Sequence, residues 1–334
     1  MNRNVTGTVL VTGGTGFVGS HLVDLLLRKG HAVTCLVRDP KRLRWLTGAK
    51  VRLATGDCSD PASLKEAVRN VGVVYHAAGL TKAHRNSEYY AVNQLGTRNL
   101  LEACERHNPG LGKFILVSSL AAAGPARGGR PLTEKDAPHP VSDYGRSKLR
   151  AEEETLRFRE RFPVVILRPS AVYGPRDIDV YELFRWAAKG IILDMRGGER
   201  FLNWCHVEDL AEALLLAGER TVPSGSVYFV AEDRVYSTAE FHQALLRTGG
   251  VEARIVRVPV WMGYAVGAVS EMAGLLRGRA SIMSRQKVRE AVQRYWTCDL
   301  GRSRSELGFS ARVPLEQGLA ATWAWYREHG WIRS

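Results

Sequence analysis

Tyr144 and Lys148 stand four residues apart in SDYGRSKLRAEE, a spacing that stacks both side chains on one face of a helix. A free tyrosine has a pKa near ~10 and is a poor base at neutral pH. An ammonium beside it, together with an oxidised nicotinamide, stabilises the phenolate and brings proton transfer toward the working range. Alone, such a pair is an ordinary helix-surface feature. FILVSSL supplies its company: Ser118 and Ser119 close an apolar, strand-like run, and catalytic groups gather at the carboxyl ends of parallel strands.

A second chemistry lies nearer the start. Gly13, Gly16 and Gly19 sit three apart in TGGTGFVG, after a strand candidate and at the opening of a helix candidate. That spacing serves a tight turn, close backbone approach to a pyrophosphate and tight helix–strand packing, with helix N–H groups facing the phosphates. Such a dinucleotide site ordinarily carries an acid at the end of its second strand, to hold a ribose hydroxyl. Here that place reads Val37-Arg38, with Lys41, Arg42 and Arg44 behind. A guanidinium at Arg38 can instead pair with a 2′-phosphate in a bidentate way. The expectation is NADP(H), with NAD(H) as the alternative. Asp57, in TGDCSD, can accept from an adenine amino group or cap the helix beginning near Pro61.

These residues need a frame. Strand-like runs at Thr8–Val11, Ala32–Val37, Val51–Ala54, Val71–His76, Phe114–Ser118 and Val164–Leu167 alternate with helical patterns at Gly19–Lys29, Pro61–Arg69, Tyr90–Arg106 and Ser142–Arg159. Such alternation predicts an α/β fold with a parallel, doubly wound sheet. Pro125–Pro140, rich in Gly and Pro, predicts a mobile surface loop. Val227–Glu232 reads as one more strand, and helices dominate after it. Val258–Leu276 is apolar but broken by Pro259, three glycines and Glu271, which predicts a buried or substrate-capping helix, with a membrane-surface contact as second reading.

The 334 residues suffice for one large α/β domain or two smaller ones. The net charge of +13 points to solvated surface and a phosphorylated cofactor before membrane or nucleic acid, since neither basic cluster interleaves with aromatics. Five scattered cysteines form no Cys-x-x-Cys pair, and the nine histidines form no ligand pair, so no metal site is expected. His76 and His206 are expected to pack rather than transfer protons. With the cysteine pattern and no signal segment before the first strand, a cytoplasmic protein is expected.

Eight ordered stretches then carry a resemblance: TGGTGFVG, GDCSD, YHAAG, VNQLGTRNLLEA, VSSLAAAG, YGRSK, LRPSAVYGP and CHVEDLAEALLLA. The chain resembles the extended short-chain dehydrogenase/reductase family over nearly its whole length. The resemblance implies that Ser119 holds the substrate oxygen, Tyr144 is the acid/base, Lys148 also binds the nicotinamide ribose, and Asn93 anchors a water in the proton path. It implies a cofactor track through Gly13, Thr15, Gly16, Phe17, Val18, Arg38, Asp57, Cys58, Ala77, Ala78, Gly79, Arg168, Pro169 and Val172. It also implies a Rossmann domain of residues 1–171 and 202–233, and a smaller, mostly helical substrate domain of residues 172–201 and 234–334. Homodimers through Asn99–Arg106 and Glu152–Arg159 would follow, though plain intrachain packing explains those stretches equally.

The family divides into nucleotide-sugar epimerases or dehydratases and reductases or dehydrogenases of other alcohols. In many of the former an Arg-Asp-Phe triplet precedes the His-Val pair, with the arginine near the substrate's diphosphate; LNWCHVED has Leu202 where that arginine would be. With Trp204 and the apolar C-terminal segment, this resembles the 3β-hydroxysteroid dehydrogenase and dihydroflavonol reductase branches. The expected activity is hydride transfer between NADP(H) and a secondary alcohol or ketone on an apolar small molecule. A nucleotide-sugar epimerase is the alternative, since Arg196 or Arg200 could hold a phosphate. A cofactor-binding regulator is the minor one, disfavoured because Ser119, Tyr144 and Lys148 are all present.

Overall fold

The computed structural model describes residues 7–277 and 284–332. Seven strands form one all-parallel sheet in the order Ser226–Val230, Val164–Pro169, Lys113–Val117, Val73–His76, Val9–Thr12, Val33–Val37, Arg52–Thr55. Most of these strands are buried on both faces, as their Val, Leu and Ile content requires. The strand order reverses between Val9–Thr12 and Val73–His76, which opens the crevice where doubly wound sheets bind ligands. The α/β, Rossmann-type architecture is therefore as expected, with element ends shifted by a residue or two.

One apolar layer packs helices Phe17–Arg28 and Val207–Glu219 on one face of the sheet. The other packs Gly96–His107 and Asp143–Leu156 on the opposite face. A second sheet is built around Phe201–His206, which pairs in parallel with Ala171–Tyr173 and Tyr295–Trp296 and antiparallel with Val235–Ser237. Ile191–Met195 and Arg254–Val258 form a separate parallel pair. An aromatic core of Phe184, Trp204, Phe241, Trp323 and Tyr326 sits beneath this second layer.

Two expectations change. Pro125–Pro140 is pinned, not free: Leu132 bridges to Cys298 and is buried with Ala126 beside Leu120, Ala123 and Phe229. Ala126 N donates to Tyr295 O at 2.8 Å and Leu132 N to Thr297 O at 3.0 Å. The C-terminal third therefore clamps a loop whose composition alone suggested mobility. The Val258–Leu276 segment becomes helix Val260–Arg277, and it is not buried: one face lies open. Among the described residues, no helix is long and apolar enough to cross a membrane.

Candidate active site

Helix Asp143–Leu156 carries Tyr144 and Lys148, the pair expected to handle the proton. Ser142 caps it, its Oγ accepting from Gly145 N at 3.0 Å, and Asp143 in the first turn suits the positive end of the helix. Gly145 is there for space: a Cβ would lie 2.3 Å from Ala121 O. The helix can thus press against the Leu120–Ala123 turn, which Ser119 caps by accepting from Ala121 N at 3.1 Å. This close approach brings the Ser119 hydroxyl into hydrogen-bond contact with the Tyr144 phenol. One turn on, buried Lys148 donates from Nζ to Val117 O at 2.5 Å.

Burial raises the Tyr144 pKa above its ordinary value, while the Ser119 hydrogen bond and the Lys287 ammonium pull it down. Tyr144 therefore holds its proton at neutral pH, as an acid should. Burial also lowers the Lys148 pKa to about 8, against the pull of Glu152. The cation facing the phenol ring is Lys287, with Nζ 5.5 Å from its centroid and 3.4 Å from Glu290 Oε2. Sequence reasoning assigned that influence to Lys148 and missed Lys287, which lies far along the chain. Helix Arg285–Ala291 reaches the site because Glu290 accepts from Ser142 Oγ at 2.5 Å and Gln286 from Asp143 N at 2.5 Å.

Asn93 lies in a π-helical stretch, Tyr90–Leu95, and is buried. Its amide donates to Leu80 O at 3.1 Å and Ser147 Oγ at 2.9 Å, and accepts from Leu80 N at 2.8 Å. Both amide hydrogens tie the loop after Val73–His76 to the catalytic helix. The Asn93 side chain is thus a brace between the two.

The glycine turn has the shape of a dinucleotide cradle. Gly13 has φ +73°, and a Cβ there would meet Ala78 N at 2.7 Å; a Cβ on Gly19 would meet Gly13 O at 2.2 Å. Helix Phe17–Arg28 starts at Gly16 with no side-chain cap and no acid in its first turn, so its N–H groups are left for an anion. Thr15, Phe17 and Val18 are half-buried around this turn, as is Val172. Ala77 and Ala78 line up against Gly13, and a Cβ on Gly79 would be 3.6 Å from Lys148 Nζ. A continuous path therefore runs from the glycine turn to the proton-transfer pair.

At the other end, Arg38 is exposed and makes no hydrogen bond or ion pair among the described residues. The neighbouring acid, Asp39, is engaged by Lys41 N at 2.9 Å and by Arg42 at 3.5 Å. Asp57 accepts from Ser59 N at 2.8 Å and Ser59 Oγ at 2.9 Å. It is not the helix cap; Asp60 fills that role, accepting from Ala62 N at 3.1 Å. Cys58 points its thiol into the core, where burial pushes its pKa up to about 12.

Arg168 also departs from expectation. Its guanidinium is buried against Glu152, Nη2 to Oε2 at 2.6 Å, and Ser118 Oγ donates to the same carboxylate at 2.5 Å. It braces helix Asp143–Leu156 against strand Val164–Pro169. Pro169 ends its strand in buried surroundings, and Ser170 and Ala171 beyond it line the site. His76 is held between Thr12 Oγ1 at 2.7 Å and Thr97 Oγ1 at 2.9 Å, with its pKa lowered to about 3 by burial and by Lys148. His206 caps Val207–Glu219 and is lowered to about 4, also by burial. Both are packing residues.

Beside Ser119 and Tyr144 opens a cavity of about 500 Å³. Its wall includes Leu183, Leu193, Met195, Leu202, Trp204 and Phe241. Trp204 and Phe241 stack with centroids 4.0 Å apart. Arg200 reaches the wall already paired with Asp194, and its Nη1 donates to Met195 O at 2.8 Å. Arg196 is exposed and does not line the cavity.

The model of the NAD dependent epimerase/dehydratase family matches residues 9–231. The chain is 32% identical to a ceramide reductase of Caulobacter vibrioides, over 99% of this chain and 98% of that protein. It is 30% identical to a farnesyl-dihydroquinoline-oxide ketoreductase of Stigmatella aurantiaca, covering 93% and 94%. Among solved structures it is similar to MoeE5 in complex with UDP-glucuronic acid and NAD, with a TM-score of 0.77 and 28% identity over 97% of this chain and 100% of that one.

Proposed function

From the premise that the chain belongs to the NAD dependent epimerase/dehydratase family and is an NAD(P)-dependent oxidoreductase of the short-chain type, we propose that it reduces a ketone, or oxidises the matching secondary alcohol, on a largely apolar substrate. One observation carries this reading. The cavity beside Tyr144 is walled by apolar and aromatic side chains, and the arginine in that wall is already neutralised by Asp194. A diphosphate would find no unpaired guanidinium there, whereas an apolar body would fill the space. The named activities of the ceramide reductase and ketoreductase relatives support the same class of substrate.

NADP(H) is the cofactor of this reading, because Arg38 is free to meet a 2′-phosphate while Asp39 is tied to Lys41 and Arg42. The bound nicotinamide supplies or accepts the hydride. Ser119 holds the substrate oxygen, and Tyr144 delivers a proton to it as the carbonyl is reduced. Lys287 then faces the phenolate and offsets its charge. Lys148, fixed by Val117 O and next to Gly79, holds the cofactor end of the site. In oxidation the same atoms run in reverse.

A nucleotide-sugar epimerase is the second reading, favoured by the likeness to MoeE5. An epimerase retains its cofactor through both half-reactions, and a reductase releases it each cycle. The deciding experiment incubates the protein with NADPH and separate panels of hydrophobic ketones and sugar nucleotides. Stoichiometric NADPH loss with a ketone is expected. Sugar interconversion without net cofactor loss would overturn the reading.

The same reading includes a homodimer through Asn99–Arg106 and Glu152–Arg159, in and just beyond helices Gly96–His107 and Asp143–Leu156, and a reducing cytoplasmic setting supported by five free, buried cysteines. Leu100, Leu101, Ala103 and Ala151 are spent inside the chain's own core, so a dimer would use the outward Leu95 and Arg98 instead. Light scattering in solution checks it.

A further inference from the structure

Helix Val260–Arg277 is asymmetric in an unusual sense: its glycines Gly263 and Gly267 face inward and its large apolar residues face out. A Cβ on Gly263 would lie 2.8 Å from Met195 Cε, and one on Gly267 would lie 2.9 Å from Arg285 N. These glycines let the helix lie close on Ile191–Met195 and on the start of Arg285–Ala291. Its acid, Glu271, is drawn to the same side, accepting from Arg285 N at 2.8 Å and Nε at 2.7 Å.

The open face then carries Trp261, Met262, Ala265, Val266, Ala268, Val269 and Met272, every one exposed. Trp261 is 69% exposed, Val269 71% and Met272 62%. On strand Arg254–Val258, which leads into the helix, Ile255 and Val256 are exposed on opposite faces, and Leu193 on the partner strand is exposed beside Val256. Most of the large apolar side chains exposed among the described residues lie in this one region. Single exposed apolar residues need no explanation, but a continuous patch does.

Charge identifies what covers it. From Arg254 to Arg294 the sequence has eight basic residues and two acids, Glu271 and Glu290. Glu271 is held by Arg285 and Glu290 by Lys287 and Ser142. Arg196, Arg254 and Arg257 are exposed beside the patch, and their guanidinium groups pair with no acid among the described residues. Glu199 and Glu252 are the exposed acids at its edge. An apolar face flanked by unpaired arginines fits the boundary of an anionic bilayer, where side chains such as Trp261 and Met262 enter the acyl region and arginines meet lipid phosphates.

We propose that helix Val260–Arg277 and strand Arg254–Val258 form a docking surface for an anionic membrane, on which the protein lies without spanning it. The docked face adjoins the catalytic cavity. Met195 lines that cavity and also touches the helix at Gly263, and Leu193 lines it while remaining exposed. A substrate dissolved in the bilayer therefore meets the cavity rim without crossing water.

The test uses the full chain and no substrate, so its failure leaves the ketone reading standing. The protein is sedimented with phosphatidylcholine vesicles and with vesicles containing one quarter phosphatidylglycerol. Binding to the anionic vesicles at least about tenfold stronger than to the neutral ones, and weakened by salt, is expected. Trp261→Glu with Val269→Glu should reduce binding by at least about tenfold. Arg254→Glu with Arg257→Glu should reduce only the anionic component, without touching the apolar face. Unchanged thermal transitions and NADPH binding certify both variants as folded. The proposal is overturned by absence of vesicle binding, by binding indifferent to both double variants, or by a dimer that Trp261→Glu with Val269→Glu splits; the last outcome would assign the face to a second copy.

Discussion

At the scale of single residues, three side chains of the proposed mechanism each have their own measurement. Tyr144→Phe removes the phenolic proton and keeps the ring that packs near Tyr89. Turnover should fall at least ~100-fold with cofactor affinity nearly intact; near-native activity would move the acid elsewhere. Arg38→Ala should weaken NADPH by about 1.5–3 kcal/mol and leave NADH almost unchanged, the loss of a hydrogen bond to a charged group. Equal losses in parallel titrations would remove Arg38 from the phosphate. Lys287 acts on Tyr144 through charge. In the oxidative direction Tyr144 must lose its proton, and Lys287 lowers its pKa. Lys287→Met should therefore shift the acid limb of the kcat–pH profile to higher pH. A limb that stays in place would mean the ammonium does not reach the phenol.

At the scale of elements, the site depends on how closely helix Asp143–Leu156 approaches the Leu120–Ala123 turn. Gly145 sets that distance, because any side chain there would meet the Ala121 carbonyl. Gly145→Ala must move one element from the other, at a cost of about 1–3 kcal/mol for overpacking. Ser119 and Tyr144 sit on opposite sides of that seam, so kcat should fall while NADPH binding, centred on the distant glycine turn, changes little. Comparable loss in both would show that the shift spreads through the sheet. The contacts from Glu290 and Gln286 hold the same N-terminal end of the helix, so the C-terminal third of the chain also bears on the position of Tyr144.

Across the whole molecule, the buried Arg168–Glu152 pair joins the sheet to the catalytic helix. Both side chains are almost fully excluded from water, and Ser118 completes the carboxylate's bonding. Removing one partner leaves the other charge buried and uncompensated, which costs roughly 3–5 kcal/mol. Arg168→Met should thus lower the unfolding free energy by about that amount in urea titration. A far smaller loss would mean that water or another cation replaces the guanidinium. The proposed docking face is built from Arg254–Val258 and Val260–Arg277, which lie outside the sheet and the helix that this pair joins, so the two should vary independently.

What the sequence alone determined was local. The glycine turn, the Tyr144–Lys148 spacing and Ser119 at a strand end were legible because backbone geometry sets them within a few residues. Alternating apolar runs likewise specified the parallel sheet, since strands buried on both faces have little choice of composition. The place of Arg38 directly after a strand was legible in the same way. Tertiary packing decided the rest. Lys287 faces Tyr144 only because a helix from the C-terminal third caps the catalytic one. Folding alone pairs Arg200 with Asp194 and Arg168 with Glu152. Pro125–Pro140 is pinned by strand residues far downstream, and Val260–Arg277 turns its glycines inward. None of these follows from spacing, because each depends on which surfaces meet between segments far apart in the chain.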